Sequence, residues 1–197
     1  MDTLTELTQR GEEFFQQGVK MPRLTEIMQD LGIVDYSKIP KDTRNWAMDR
    51  GSKVHKTCEL WDLGTLRVET LDERLVPYLD GWQRAVEDLR LTFTHIEVRM
   101  VNETYWYCCK PDRVGAADGE PAVIEIKTGE VPWWVGMQLS AQAACMPDGH
   151  TYRRIAIGLP GDGTYKPVYP DKLPDGRNDR AMILTGISLY NRKQNNK

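Results

Sequence analysis

The stretch Lys110-Pro111-Asp112-Arg113-Val114-Gly115-Ala116-Ala117-Asp118-Gly119-Glu120-Pro121-Ala122-Val123-Ile124-Glu125-Ile126-Lys127 decides the fold. Asp118-Gly119 lies between two strand-compatible runs, and both residue types tolerate the positive φ that a two-residue hairpin turn demands. With that turn, Ala117 faces Glu120 and, counting outward, Asp112 faces Glu125 on the same side of the sheet. Pro121 leaves a shifted register as the alternative. Directly opposed residues lie roughly 4.5–5.5 Å apart at Cα. Two carboxylates so close repel one another and raise the pKa of at least one. A divalent cation between them relieves the conflict, and ligation by carboxylates and water is the preference of Mg²⁺ or Mn²⁺.

Lys127 follows Glu125 by two residues, so the period of a strand sends its ammonium to the same face, while Ile124 and Ile126 turn to the core. Hydrolysis of a phosphodiester uses such parts: a cation to polarise the phosphoryl oxygen and a neighbouring ammonium to orient water and meet developing charge. An isolated Glu-x-Lys is most often an exposed ion pair worth little. Here the triplet ends an apolar strand, has Pro111-Asp112 upstream, and runs through Thr128-Gly129 into a helix expected at about Trp134 to Met146.

Outward from the hairpin, Phe93 to Met100 alternates as a strand, and the aromatic run Tyr105 to Cys109 reads as another. Arg153 to Leu159 is a further apolar strand. Tyr165-Lys166-Pro167-Val168-Tyr169 fits only a sheet edge, because proline cannot donate to a ladder. Helices are expected after Thr25 up to Gly32, over about Thr43 to Leu60 (Trp46, Val54 and Cys58 inward), over Arg74 to Leu89, and over Arg180 to Asn191. Residues 3–17 read as a weakly amphipathic helix or loose arm. The expectation is one α/β domain over 1–197 with a core at about 21–190, a possible flexible arm at 1–20, and a central mixed β-sheet flanked by helices with an N-terminal helical region.

The chain of 197 residues carries a net charge of −3, which weighs against a nucleic-acid partner unless positive charge is gathered locally. Local clusters exist at Arg44, Arg50, Lys53 and Lys56, at Lys110 and Arg113, and at Arg153 and Arg154; each taken alone reads more readily as a solvated face. No apolar run approaches the roughly 20 residues that span a bilayer, and the polar, acidic start does not read as a secretory signal. A cytoplasmic location without membrane contact is expected. Cys58, Cys108, Cys109 and Cys145 lack paired CxxC spacing, and neighbours Cys108 and Cys109 point to opposite faces of a strand, so reduced thiols are expected rather than a metal site.

Pro111-Asp112 followed by Glu125-Ile126-Lys127 resembles the PD-(D/E)XK nuclease pattern. The longer string from Lys110 to Gly115, with Val123 to Gly129, resembles its RecB-type branch, which includes bacteriophage exonucleases. Arg50-Gly51-Ser52-Lys53-Val54-His55 is similar to the helix that brings a histidine to the metal in that branch. Pro22-Arg23-Leu24-Thr25-Glu26-Ile27-Met28 is similar to its N-terminal segment. The resemblance covers about residues 21–160.

It implies a restriction-endonuclease-like core and DNA cleavage from ends with one or two Mg²⁺ or Mn²⁺ ions. The ions would be held by Asp112, Glu125, the Ile126 carbonyl and His55. Lys127 would orient or help deprotonate the attacking water, and Gln138 would point at the same site. Where the branch commonly has tyrosine, this chain has Gln142, one helical turn beyond Gln138. Glu59, one turn past His55, reads as a supporting or a surface acid. Glu97 offers a further carboxylate or a partner for His95 on its strand. Arg50, Lys53, Arg113 and Trp134 are candidate DNA contacts, and Trp133-Trp134 either stack on a frayed base or fill core. A recombination partner such as a single-strand annealing protein is also implied; the site would serve a host cytoplasm if the chain is phage-encoded. The rivals are a structure-specific endonuclease and a non-catalytic DNA- or partner-binding module on the same fold.

Overall fold

The computed structural model describes residues 7–10, 13–173 and 178–194. It begins with strands β1 (Leu7–Arg10), β2 (Glu13–Gln16) and β3 (Val19–Met21), which pair antiparallel as a small sheet. The helix or loose arm expected over 3–17 is corrected here for the described residues. Gln17 and Gly18 both take positive φ between Gln16 and Val19, a two-residue hairpin turn. Phe14 and Gln16 are buried on alternate positions, and Phe14 packs with Met21 and Cys108.

Helix α1 (Leu24–Asp30) buries Leu24, Ile27 and Met28, and Gly32 follows it at φ +70. Its capping residue is Arg23, whose amide and guanidinium both bond Glu26, rather than Thr25. The long helix α2 (Lys41–Asp62) buries Val54, Thr57 and Cys58. Trp46, expected on that inner stripe, is exposed. Helix α3 (Val76–Asp88), entered through a short 3₁₀ turn, seats Leu79, Trp82 and Ala85 in the core. Then come β4 (Thr92–Ile96), β5 (Met100–Asn102), β6 (Tyr107–Cys109), β7 (Arg113–Ala117) and β8 (Glu120–Thr128). Helix α4 (Val135–Ala143), strands β9 (Arg153–Leu159) and β10 (Lys166–Val168), and helix α5 (Asp179–Gln194) complete the order.

The central sheet has five strands in the order β10-β9-β8-β7-β4. β8 and β9 are parallel and joined across α4, whereas the other pairs are antiparallel. The expected hairpin register holds: Ala117 faces Glu120 and Arg113 faces Ile124, with Asp118 and Gly119 both at positive φ. At Gly115 the neighbouring strand approaches so closely that a Cβ would sit 1.8 Å from the Thr92 carbonyl oxygen. The proline-bearing β10 takes the edge.

Helices cover both faces of the sheet. Ile124 and Ile126 of β8 and Ile155 and Ile157 of β9 meet Val54, Cys58, Trp82 and Ala85 of α2 and α3. Val123 and Ala156 meet Val135, Leu139 and Ala143 of α4. Consequently Glu125 and Lys127, which alternate with the two isoleucines, are carried under α4 rather than into open solvent. Cys108 and Cys109 do part company, Cys108 towards Phe14 and Met21 and Cys109 towards Tyr107 and Met137.

Candidate metal centre

Asp112 stands one residue before β7, at the end of the sheet where α2 passes. Its Oδ2 accepts a hydrogen bond from the Ile126 amide at 2.7 Å. Its Oδ1 lies 3.2 Å from Nδ1 of His55, which α2 presents beside the buried Val54. The third member is Glu97. The expected strand through Met100 stops at Ile96, where Glu97 adopts φ +54 and donates its amide to the Asp112 carbonyl at 3.0 Å. That turn takes Glu97 away from a shared face with His95, whose Nδ1 lies 2.9 Å from the Thr94 hydroxyl. It brings Glu97 Oε1 to 3.8 Å from His55 Nδ1. One ligand atom from each of His55, Glu97 and Asp112 falls within 4.8 Å of the others.

Glu125 faces this cluster from β8 but is occupied differently. Its Oε1 accepts from Lys127 Nζ at 2.8 Å and from Gln138 Nε2 at 2.7 Å. Its Oε2 accepts from Gln142 Nε2 at 2.8 Å. Lys127 also donates to Gln138 Oε1 at 3.0 Å, closing a triangle of Glu125, Lys127 and Gln138. The one-turn spacing of Gln138 and Gln142 sets both amides over the carboxylate. The cluster with metal-holding spacing therefore uses Glu97 in the place expected of Glu125. At Ile126 the contact to Asp112 is made by the amide.

Charge and burial pull these groups apart. Burial raises Glu125 and the charge of Asp112 adds to it, so its carboxyl is held above the usual range despite Lys127. Burial also opposes ionisation of Asp112, but His55 and Lys127 outweigh it and hold it low. For Glu97, burial again loses, to hydrogen bonding with His55 and Lys110, so its pKa is lowered. Burial disfavours a charged His55, yet Asp112, Glu97 and Glu125 around it prevail and lift it to about 10. Lys127 follows the same logic: burial opposes its charge, and Glu125 and Asp112 raise it.

A hard divalent cation fits the donor set. Two carboxylates and an imidazole converge, and buried Glu97 Oε1 makes no hydrogen bond among the described residues, its nearest cationic neighbours being Arg113 Nη1 at 3.6 Å and His55 Nδ1 at 3.8 Å. Both lie beyond hydrogen-bond distance, so the oxygen retains a lone pair for a directly bound cation.

Two other expectations turn out differently, those for Arg113 and Arg154. Arg113 is not a surface contact for DNA: its side chain is 0% exposed, because Nε pairs with Asp62 at 2.6 Å beneath Trp82. Asp62 also accepts from Trp82 Nε1 at 2.9 Å. The residue sequence reasoning missed is thus Asp62, whose signal was an acid at the end of an otherwise inward helical stripe. Glu59, read as a supporting or a surface acid, is half-buried and pairs with the exposed Lys56 at 2.9 Å. Of the Arg153–Arg154 pair, Arg154 is buried against Asp171 and Ser140.

Arg50 is half-buried, donating to the Thr128 carbonyl at 3.2 Å. Lys53 is exposed and pairs with Asp49 at 2.7 Å. Lys110 bonds Glu97. Trp134 is half-buried, 5.2 Å from the Lys127 ammonium, while Trp133 is exposed. Among the described residues no helix is long and apolar enough to cross a membrane.

Comparison of the chain with protein-family models and with curated proteins returns no match.

Proposed function

We propose that this chain is a metal-dependent deoxyribonuclease of PD-(D/E)XK type, hydrolysing phosphodiester bonds with Mg²⁺ or Mn²⁺. The observation that carries the reading is the meeting of His55, Glu97 and Asp112 within metal-holding distance, beside a Glu125–Lys127 pair on the same sheet end. Four separated segments supply these groups, which a chance surface ion pair does not require.

His55, Glu97 and Asp112 would hold the cation, with Glu125 opposite Asp112 on the neighbouring strand. When bound, the cation supplies a Lewis acid for the phosphoryl oxygen and favours an ionised water. Lys127 donates hydrogen bonds and places positive charge where the phosphorane-like transition state gathers negative charge. Gln138 fixes the ammonium and Glu125 in one geometry, and Gln142 anchors the other carboxylate oxygen. The restriction-endonuclease-like core, a DNA substrate and attack from a DNA end complete the proposal, on the resemblance of the Pro111-Asp112 and Glu125-Ile126-Lys127 motifs. The mixed five-stranded sheet with helices on both faces is compatible with it.

Purified protein is to be incubated with linear and circular DNA in Mg²⁺, Mn²⁺ or EDTA. Loss of linear DNA with either metal, none in EDTA and intact circles support an end-directed nuclease. Cleavage of circles moves the reading to an endonuclease. Well-folded protein that cuts no DNA form with either metal overturns it in favour of a binding module.

A further inference from the structure

Four cysteines are present in the chain, and the fold sorts them into different surroundings. Cys58 is sealed among Val54, Trp82 and Ile124, and Cys108 packs with Phe14 and Met21. Cys109 and Cys145 behave otherwise: their sulfurs lie 3.5 Å apart, although the two residues are 36 positions apart in the chain. Cys109 is the last residue of β6, and Cys145 follows the end of α4. Two hydrogen bonds tie the β5–β6 hairpin to this end of α4. The Tyr107 hydroxyl donates to the Ala141 carbonyl at 2.7 Å, and the Asn102 side-chain amide donates to the Ala144 carbonyl at 2.6 Å. The thiols therefore meet because their backbones are held together, not because two loose side chains happen to touch.

The sulfurs of a disulfide lie about 2.05 Å apart, so these two need to close by roughly 1.5 Å, within reach of rotation about their Cα–Cβ bonds. Cys145 is partly exposed, whereas Cys109 is buried. The hydrogen bond to Cys145, with burial, holds the Cys109 thiol well above its ordinary pKa. Cys145 is thus the sulfur that meets an oxidant first, and Cys109 the neighbour that resolves it. Cys109 also lines a cavity of about 270 Å³ whose wall includes Glu125, Gln138 and Gln142. On the other side of the pair, the Cys145 amide donates to the Gln142 carbonyl at 3.1 Å. A covalent link between the two cysteines would pull on the residue whose side chain holds Glu125 Oε2.

We infer that Cys109 and Cys145 are a modification site, joined by hydrogen peroxide into a reversible disulfide that disturbs the seat of Gln142 on Glu125. The Cys145 sulfur attacks one peroxide oxygen and the O–O bond breaks. This leaves a sulfenic acid, and the departing hydroxide takes the Cys145 proton as water. The Cys109 sulfur then attacks the sulfenic sulfur, the S–O bond breaks, and the Cys109 proton leaves with that hydroxide as a second water. The pair gives up two electrons and the peroxide takes them. A dithiol that is reduced at rest and linked only under oxidant is the form such pairs take in reducing compartments. The disulfide itself stands on the geometry of the thiols; its effect on cleavage rests on the nuclease reading.

Wild-type protein in EDTA is treated with hydrogen peroxide, denatured, alkylated and digested, and its disulfides are mapped by mass spectrometry with fragment ions that separate Cys108 from Cys109. The expected result is the loss of two alkylatable thiols, a linked Cys109–Cys145 peptide pair, and recovery of both thiols in dithiothreitol. Cys145→Ser, a near-isosteric change at a partly exposed position, should fold with unchanged circular dichroism and form no disulfide at the same dose. A Cys108–Cys109 disulfide, a Cys145 sulfinic acid beside a free Cys109, or four unreacted thiols overturns the inference. After peroxide is removed, cleavage of linear DNA in Mn²⁺ is compared for the reduced and linked forms. The linked form should cut about 10- to 100-fold more slowly and recover in dithiothreitol, and peroxide should leave Cys145→Ser unaffected. Equal rates for the two forms overturn the coupling to Glu125, whereas no cutting by the reduced protein overturns the nuclease reading and leaves the mapped disulfide standing.

Discussion

Nδ1 of His55 lies 3.2 Å from Oδ1 of Asp112, although His55 belongs to a helix packed on one face of the sheet and Asp112 precedes an interior strand. The contact exists because the same turn of α2 that buries Val54 and Cys58 against Ile124 and Ile126 carries His55 beside them, at the side where Asp112 enters β7. It sets the first expectation. Mn²⁺ should raise the melting temperature of the wild-type protein, with stabilisation of about 2.7 kcal/mol at a hundredfold excess over Kd. Asp112→Asn and Glu97→Gln should fold and lose that response in differential scanning fluorimetry. An undiminished shift in both would place the cation elsewhere.

Lys127→Ala should abolish cleavage while leaving the Mn²⁺-induced thermal shift in place, because the ammonium contacts Glu125 and Gln138 rather than the His55 cluster. Cleavage that survives the change would remove the role given to Lys127.

Gln142→Leu leaves Glu125 Oε2 without its 2.8 Å donor. Groups that orient ligands in this manner typically matter by about 10- to 100-fold in activity or metal affinity. A loss of that size in cleavage rate is expected from folded protein, together with a stability cost of about 1–3 kcal/mol for the buried oxygen left without a donor; cleavage at the wild-type rate would mean that Gln142 serves stability only.

Asp62→Ala strands the guanidinium of Arg113, whose side chain is wholly buried. Removing one partner of a buried pair costs about 3–5 kcal/mol, so the urea midpoint should fall strongly. A change under 1 kcal/mol, roughly the worth of an exposed pair, would show that the pair is not sealed from water.

In metal-free protein, His55 is lifted from 6.5 to about 10 by its carboxylate neighbours, against the effect of burial. A group whose folded pKa exceeds its unfolded pKa binds more protons when folded, so stability falls as pH rises between those values. Urea midpoints in EDTA should therefore decline from pH 6.5 towards pH 10 more steeply than those of His55→Gln. Parallel curves for the two proteins would show that the imidazole gains nothing from Asp112 and Glu97.

The hairpin was legible because Asp118-Gly119 fixes a turn type, and a turn type fixes register; that alone brought Asp112 and Glu125 into one neighbourhood. Edge placement of β10 followed from Pro167 in the same way. Glu97 was harder to read, since its position depends on a positive φ that no local residue preference announces. Arg113 misled for a related reason. A strand alternates its faces, but sequence does not say that the face opposite a carboxylate cluster is itself covered by a helix carrying Asp62. The N-terminal strands were missed because Gln17-Gly18 is a weaker turn signal than Asp118-Gly119, and strands of three or four residues are too short to show a period of two.

Anomalous diffraction from crystals soaked in Mn²⁺ bears most directly on the central claim, that Asp112 anchors a divalent cation on which the chemistry depends. The expected result is a manganese peak about 2.0–2.3 Å from an Asp112 oxygen, with Glu97 or His55 completing the shell, and none in Asp112→Asn. A fully folded wild-type protein with no manganese peak at Asp112 would contradict it.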